Sequence, residues 1–322
     1  MTLRVTIAAD GMLEPETTPP MRHELSFPRY NDPEALAASL AEADALVCRR
    51  VNVTPALLTR APRLRLVQQV GIGTDRIDLA EAGARGVRVA NTPGAVSNAV
   101  VEHTFMIMLA ALRSLETQMA AMRSGGWSGG EVWAGEEFAG KTVGIIGYGS
   151  IGADIARRSA VFGARVIVHT RTPRLETPHG IRFVDLATVL AESDILVLAA
   201  GLNAQTRGML GRAELERLKP SVLFVNIARG VMVDEVALAE MLASGRIRHA
   251  AIDAFAIEPL PADSVLRRLP NVVLTPHSAG SARQSSERIW RQMKENLDRL
   301  ADGRDLVNVV NLDRLKPRIE LV

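Results

Sequence analysis

Three side chains in the last third of the chain are of types that could act together on a small oxo acid. Arg229 stands in NIARG, Glu258 in DAFAIEP and His277 in TPHSAG. A guanidinium supplies the cation for a carboxylate, a histidine can give or take the proton at a carbonyl oxygen, and a carboxylate can tune that histidine. Together they form the set that a hydride-transfer site needs around an oxo acid. Each follows a short aliphatic run, so each would stand past the carboxyl end of a strand, where open α/β sheets bind their ligands. Taken one at a time, Arg229 fits a surface ion pair, Glu258 a solvated loop and His277 a core histidine with satisfied bonds.

A second pattern bears on the partner such chemistry requires. Gly147-Tyr148-Gly149-Ser150-Ile151-Gly152 follows the apolar run Thr142–Ile146 and opens a helical pattern reaching about Phe162. A GxGxxG string alone is weak, but strand, turn and helix in this order form a dinucleotide-binding fingerprint. Gly147 would permit the tight turn and Gly149 would let the backbone approach a pyrophosphate. Gly152 would allow close helix packing, with the helix N-terminus facing the anion. About 20 residues on, an NAD enzyme usually has an acidic residue for the adenosine ribose. Here the run is VIVHTRTPR: Thr170 takes that place, followed by Arg171, Thr172 and Arg174. Donors and positive charge suit a 2′-phosphate, which a carboxylate would repel, so NADP(H) is preferred, with NAD(H) possible if these arginines are a solvated loop.

The elements that must position these residues are legible as aliphatic runs alternating with helical patterns, the signature of parallel sheets covered by helices, hence an α/β fold. Leu3–Ala9, Ala45–Cys48, Arg65–Val70 and Val87–Ala90 read as strands of a first sheet. Helices begin at Pro33 behind Asp32 and at Pro55 behind Thr54. One long helix is expected from Ser97 to about Arg123, ending in SGGWSGG. A second series follows at Thr142–Ile146, Arg165–His169, Asp194–Ala199, Val222–Asn226, Arg248–Asp253 and Val272–Leu274, six parallel strands that would complete a doubly wound sheet. A last helical pattern runs from about Ala282 to Leu300.

Composition narrows the classes. At 322 residues the chain suits two domains, and 47% hydrophobic with 23% charged residues is ordinary for globular proteins. Its 38 basic and 36 acidic side chains nearly balance, which argues against nucleic acid as a principal partner. No apolar run approaches the roughly 20 residues of a membrane span. The single Cys48 and the lack of a secretory signal suggest a cytoplasmic setting. Cys48 reads as buried core rather than a nucleophile, and His103 as packing or capping. His23, His169, His179 and His249 lack metal-ligand spacing, and no metal is expected. Trp127 and Trp133 read as interface packing.

With these segments in view, the chain resembles the D-isomer-specific 2-hydroxyacid dehydrogenases. The resemblance rests on VGIGTDRID at 70–78, NTPG at 91–94, GKTVGIIGYGSIG at 140–152, NIARG at 226–230, DAFAIEP at 253–259 and TPHSAG at 275–280, and covers nearly the whole length. It implies a Rossmann domain, residues 98–283, inserted into a smaller flavodoxin-like domain formed by 1–97 and 284–322, with hinges near Ser97 and Arg283. It implies that Arg229 binds the substrate carboxylate, that His277 is general acid and base, and that Glu258 holds His277 protonated over a wider pH range. Asp253, Ala228 and Gly280 would line the coenzyme, with Asp253 at the nicotinamide carboxamide. Backbone N–H groups of Val70-Gly71-Ile72-Gly73 would grip the substrate carboxylate, and the helix from Ser97 would help form a homodimer. In one departure, AAGLN at 199–203 replaces the family's usual polar residue and proline, which would alter the coenzyme wall.

The expected activity is NADPH-dependent reduction of glyoxylate or hydroxypyruvate. A phosphoglycerate dehydrogenase is the alternative within the class, although many of those use NAD and carry a regulatory domain for which this chain has no room. A dinucleotide-sensing corepressor is the alternative outside it.

Overall fold

A computed structural model describes residues 1–9, 13, 18–127, 135–172 and 180–316 of the chain. Its fold is α/β, with two parallel sheets in two compact units.

The first unit comprises Met1–Val96 and Ser281–Val322. It contains β1 (Arg4–Ala8), β2 (Glu24–Ser26), α1 (Pro33–Leu40), β3 (Ala45–Cys48), α2 (Pro55–Thr59), β4 (Leu66–Gln69), α3 (Leu79–Ala84) and β5 (Arg88–Ala90). The strands lie in the order β2-β1-β3-β4-β5, all parallel. Both expected helix starts are capped as their residues dictate. Asp32 accepts from the N–H groups of Glu34 and Ala35, and Thr54 accepts from that of Leu57, each with proline at the first helical position. Alternation along the strands divides the core between two faces. Val47 and Leu66 pack among Ile289, Trp290, Met293 and Leu297 of the long C-terminal helix, while Leu46 and Val67 pack among Leu36, Leu40 and Leu58. The chain's last stretch covers the open edge at β5: Val310 N–H donates to the Val89 carbonyl (2.8 Å), and the Asn311 amide accepts from Val89 N–H (2.9 Å) and donates to the Val87 carbonyl (3.0 Å).

The second unit, Ser97–Gly280, begins with α4 (Ser97–Leu112) and α5 (Leu115–Arg123). The sequence pattern reads as one helix, but the structure breaks it at Ser114, whose φ is +48°. α4 is buried along most of its length and α5 buries none of its residues, so the two obey different constraints. The break leaves carbonyls to satisfy: that of Leu112 accepts from Glu136 N–H (2.8 Å), and that of Arg113 from the Gln118 amide.

The sheet follows as β6 (Thr142–Ile146), α6 (Ser150–Val161), β7 (Arg165–His169), β8 (Arg182–Phe183), α7 (Leu186–Glu192), β9 (Ile195–Leu198), α8 (Arg212–Leu215), β10 (Leu223–Asn226), α9 (Glu235–Ala243), β11 (His249–Ile252) and β12 (Val272–Leu274), and α10 (Arg283–Ala301) returns to the first unit. Among the described residues it has seven parallel strands, β12-β11-β10-β9-β6-β7-β8, one more than the six expected. The additional β8 has two residues, too few to show a period, as β2 is with three.

Strands β6 and β9 are neighbours in the sheet but not in the chain, so the order reverses there; that is the topological switch point, and Gly147 follows β6 directly. At the opposite end of the strands, Asp194 ties the sheet together: its carboxylate accepts from Thr142 N–H (2.8 Å) and from Lys219 Nζ (2.8 Å). Burial pushes this carboxyl upward, but the Lys219 and Thr142 bonds outweigh it and hold it below the ordinary value. Such a carboxyl contributes stability above the range where its unfolded counterpart titrates, about 3.9, and loses it as pH falls through the lower folded value. Asp194→Asn is therefore expected to cost about 1 kcal/mol at pH 7, read as a lowered unfolding midpoint. The difference from wild type should close as thermal scans are taken below about pH 3.9.

Candidate active site

The glycine turn begins where β6 ends. Gly147 has φ +103°, and its N–H donates to the His169 carbonyl of β7 (2.8 Å). A Cβ there would lie 2.7 Å from the backbone of Ala200, and one at Gly152 would lie 2.1 Å from the Gly147 carbonyl oxygen. Both glycines are thus required by backbone approaches within the protein. Gly149 differs, because a Cβ on it would meet nothing within 4 Å. It stands exposed at the start of α6 without a side-chain cap, leaving a first turn of N–H donors that a pyrophosphate would fit. Tyr148 packs edge-on against Phe183 (5.0 Å), while Ser150 is exposed and Ile151 half-buried. Past β7, Thr170 is half-buried and Arg171 and Thr172 are exposed; Arg174 lies outside the described residues, as do Trp133 and His179.

On the other side of the switch point, β10, β11 and β12 are adjacent, and their carboxyl ends carry Arg229, Asp253 with Glu258, and His277. Asn226, the last residue of β10, organises the first of these segments. Its amide oxygen accepts from Ala228 N–H (3.0 Å), and its amide nitrogen donates to the carbonyls of Arg229 (3.3 Å) and of Ala254 (3.4 Å) in the next loop. Gly230 lets the two loops meet, since a Cβ would lie 1.9 Å from the Phe255 carbonyl carbon. Ala228 is buried, and its carbonyl accepts from the Arg229 guanidinium (2.8 Å).

The Glu258 carboxylate accepts from His277 Nδ1 at 2.8 Å and from Phe255 N–H at 3.2 Å. Glu258 and His277 keep side-chain exposures of 12% and 27%, enough to leave the imidazole reachable. The bond from Nδ1 to a carboxylate fixes the orientation of the ring. His277 itself has φ +53°, a left-handed conformation uncommon outside glycine, and its N–H donates to the Thr275 carbonyl (2.9 Å).

Asp253 accounts for that geometry. It is 1% exposed, and its carboxylate accepts from Thr275 Oγ1 (2.7 Å), Ser278 N–H (2.8 Å) and Ala279 N–H (3.1 Å), gripping the segment on both sides of His277. Gly280, half-buried, ends that segment. The expectation that Asp253 faces the nicotinamide carboxamide has to accommodate a carboxylate already engaged by its own chain. His103 on α4 joins this group: Nε2 lies 3.0 Å from Thr275 Oγ1 and 3.5 Å from Asp253 Oδ1. Burial holds its imidazole below the ordinary histidine value, against the pull of Asp253. Packing or capping is therefore an incomplete description of His103. The strand-end position of Asn226 could have signalled its role; nothing in the spacing could have signalled that of His103.

In the first unit, Val70 is buried and its N–H donates to the Cys48 carbonyl (2.9 Å). Gly71, with φ +102°, donates to Thr92 Oγ1 (2.7 Å). Two of the four N–H groups expected to hold an anion are thus taken. Those of Ile72 and Gly73 donate to no described residue, and Ile72 is 40% exposed. Cys48 is fully buried with its thiol pushed up to about 12, as a core residue rather than a nucleophile would be. Among the described residues no group of three His, Cys, Asp or Glu side chains could hold a metal ion.

Comparison with known proteins bears on the family and the fold. Residues 105–279 match the family model described as D-isomer specific 2-hydroxyacid dehydrogenase, NAD binding domain. A glyoxylate reductase of Thermococcus litoralis is 36% identical over 300 residues, 89% of this chain and 90% of that enzyme. A D-3-phosphoglycerate dehydrogenase of Mycobacterium bovis is 34% identical over 333 aligned positions, which take in all of this chain but 62% of that enzyme. Among solved structures, an NAD-dependent formate dehydrogenase of Staphylococcus aureus in complex with NAD superposes with a TM-score of 0.85 at 26% identity, over 95% of this chain and 98% of that one. An acyclic imino acid reductase in complex with NADPH and D-Arg gives 0.83 at 26% identity, over 95% and 99%.

Proposed function

Because the chain belongs to the D-isomer specific 2-hydroxyacid dehydrogenase family and is an oxidoreductase of 2-hydroxy acids, we propose that it reduces glyoxylate or hydroxypyruvate with NADPH. The observation that carries the reading is the 2.8 Å bond from His277 to Glu258, on the same strand ends as Arg229. Nε2 of His277 delivers the proton to the carbonyl oxygen as the 2-oxo acid becomes a 2-hydroxy acid, and takes it back in the reverse direction. Glu258 fixes the ring by accepting from Nδ1. Arg229 binds the substrate carboxylate and polarises the carbonyl, from a loop whose backbone Asn226 holds. In the first unit, Ile72 and Gly73 offer N–H donors to an anionic oxygen. A nicotinamide coenzyme held by the Gly147–Gly152 turn supplies the hydride when bound.

The likeness to glyoxylate reductases over nine-tenths of both chains supports a small substrate. The preference for NADPH rests on Thr170 and the exposed Arg171 and Thr172 where a ribose-binding acid would otherwise stand. A phosphoglycerate dehydrogenase remains the second reading, favoured by identity along the whole chain. Consumption of NADPH and NADH, measured side by side over glyoxylate, hydroxypyruvate and 3-phosphohydroxypyruvate, separates these readings. NADPH with glyoxylate or hydroxypyruvate should give the highest kcat/KM, and Arg171→Ala should raise the KM for NADPH about tenfold with little effect on NADH. Clearly better use of NADH would sink the coenzyme assignment, and preference for the phosphorylated acid would sink the substrate assignment.

The proposal extends to a homodimer. Met119 and Met122 stand three residues apart on α5, 41% and 56% exposed, with Leu115 at 44% and Trp127 at 85%. Apolar exposure concentrated on a helix that buries nothing within its own chain supports this reading. Sedimentation should give a dimer for the wild type and a monomer for Met119→Glu/Met122→Glu; a wild-type monomer at micromolar concentration would contradict the assignment.

A further inference from the structure

His277 is held in a left-handed conformation that, for a residue other than glycine, is unfavourable and persists only where its surroundings over-determine it. The surroundings here are three donors from the same short segment, Thr275 Oγ1, Ser278 N–H and Ala279 N–H, converging on the buried carboxylate of Asp253. Two of the three are backbone amides, fixed in direction once the loop is formed. The third is a hydroxyl, free to rotate about its C–O bond, and needs something to aim it.

The bonding capacities of the groups decide what aims it. An ionised carboxylate only accepts, so at 2.7 Å the single proton of the Thr275 hydroxyl lies on Asp253 Oδ1. The hydroxyl oxygen is then left with acceptor capacity alone. His103 Nε2, 3.0 Å away, must fill it as a donor, which fixes the tautomer with the proton on Nε2. The same ring is the one group capable of positive charge within ion-pair distance of Asp253 among the described residues, at 3.5 Å. The donor chain thus runs from His103 through Thr275 to Asp253, from α4 to a loop 172 residues later in the sequence.

We propose that His103 is a positioning residue for His277: by donating from Nε2 to the Thr275 hydroxyl it directs that hydroxyl onto Asp253, and so locks segment 275–279 in the conformation that presents His277 to Glu258. The inference rests on the assignment of His277 as proton donor. The bonds of His103 go to Thr275 and Asp253 rather than to Glu258 or His277, so it acts through the loop. Its removal leaves Arg229 and the glycine turn as they are, so the effect falls on kcat rather than on the KM for either reactant.

Four variants, assayed for glyoxylate reduction with NADPH and for amide hydrogen exchange of the free protein, test this. His103→Leu and Thr275→Val should each lower kcat about tenfold, a fraction of the roughly 100-fold that a 1 Å misplacement of a reacting group can cost. Each should leave both KM values within about twofold and speed exchange at Ser278 and Ala279. Because both break the same chain, the double variant should be no slower than either single one. His103→Gln, whose Nε2 donor has similar reach, should restore most of the rate and protection, which a packing role alone would not produce. Should His103→Leu fail to fold, the near-isosteric Thr275→Val with His103→Gln carries the test. Additive losses, no rescue by glutamine, or wild-type exchange at 278 and 279 would each overturn the proposal. Near-normal turnover by His277→Ala would instead refute the proton-donor assignment, and the exchange measurements would still decide whether His103 holds the loop.

Discussion

One buried carboxylate sets the geometry on which the chemistry depends. Asp253, at the end of β11, collects donors from both sides of His277 and thereby keeps a histidine in a backbone conformation it would otherwise leave. Buried charge is costly unless it is hydrogen-bonded, so a carboxylate with these three partners cannot readily release any of them. Breaking one bond weakens the case for the others. The ring of His277 can then meet Glu258 at 2.8 Å with Nε2 turned away from it, which is the arrangement a proton donor at a carbonyl oxygen requires.

The parallel sheet supplies the frame for that loop. β10, β11 and β12 lie side by side, so the segments after them emerge next to one another although they span some fifty residues of sequence. Two devices join them across the strand ends. The Asn226 amide bridges the segments after β10 and β11, with Gly230 permitting their close approach, and Asp253 bridges those after β11 and β12. The glycine turn lies across the switch point at β6, the place where open α/β sheets bind their ligands. In the proposed function, coenzyme binding and proton transfer fall to different strand ends of one sheet.

Much of this was legible because period and local chemistry carry it. Runs such as Thr142–Ile146 and Val272–Leu274 coincide with strands to the residue, and Asp32 and Thr54 cap the helices that the following prolines announced. Arg229, Glu258 and His277 could be singled out because each combines a chemically capable type with a place after a strand. β2 and β8 could not, being too short to display alternation. Nor could the break at Ser114, which reflects burial of α4 and exposure of α5 rather than any local helix breaker. The bonds of His103 and Asn226 were invisible for another reason. They join segments whose proximity is a product of the whole fold, and a polar side chain bonded across such a distance has no periodic trace.

The central claim is that the Glu258 carboxylate holds His277 for proton transfer, and the direct measurement is kcat for glyoxylate reduction by Glu258→Ala, with NADPH binding followed by fluorescence. A ring freed from its partner should lower kcat by about 100-fold, as expected for a misplaced reacting group, while NADPH binding and the unfolding midpoint stay close to wild type. A variant that turns over at the wild-type rate would contradict the account.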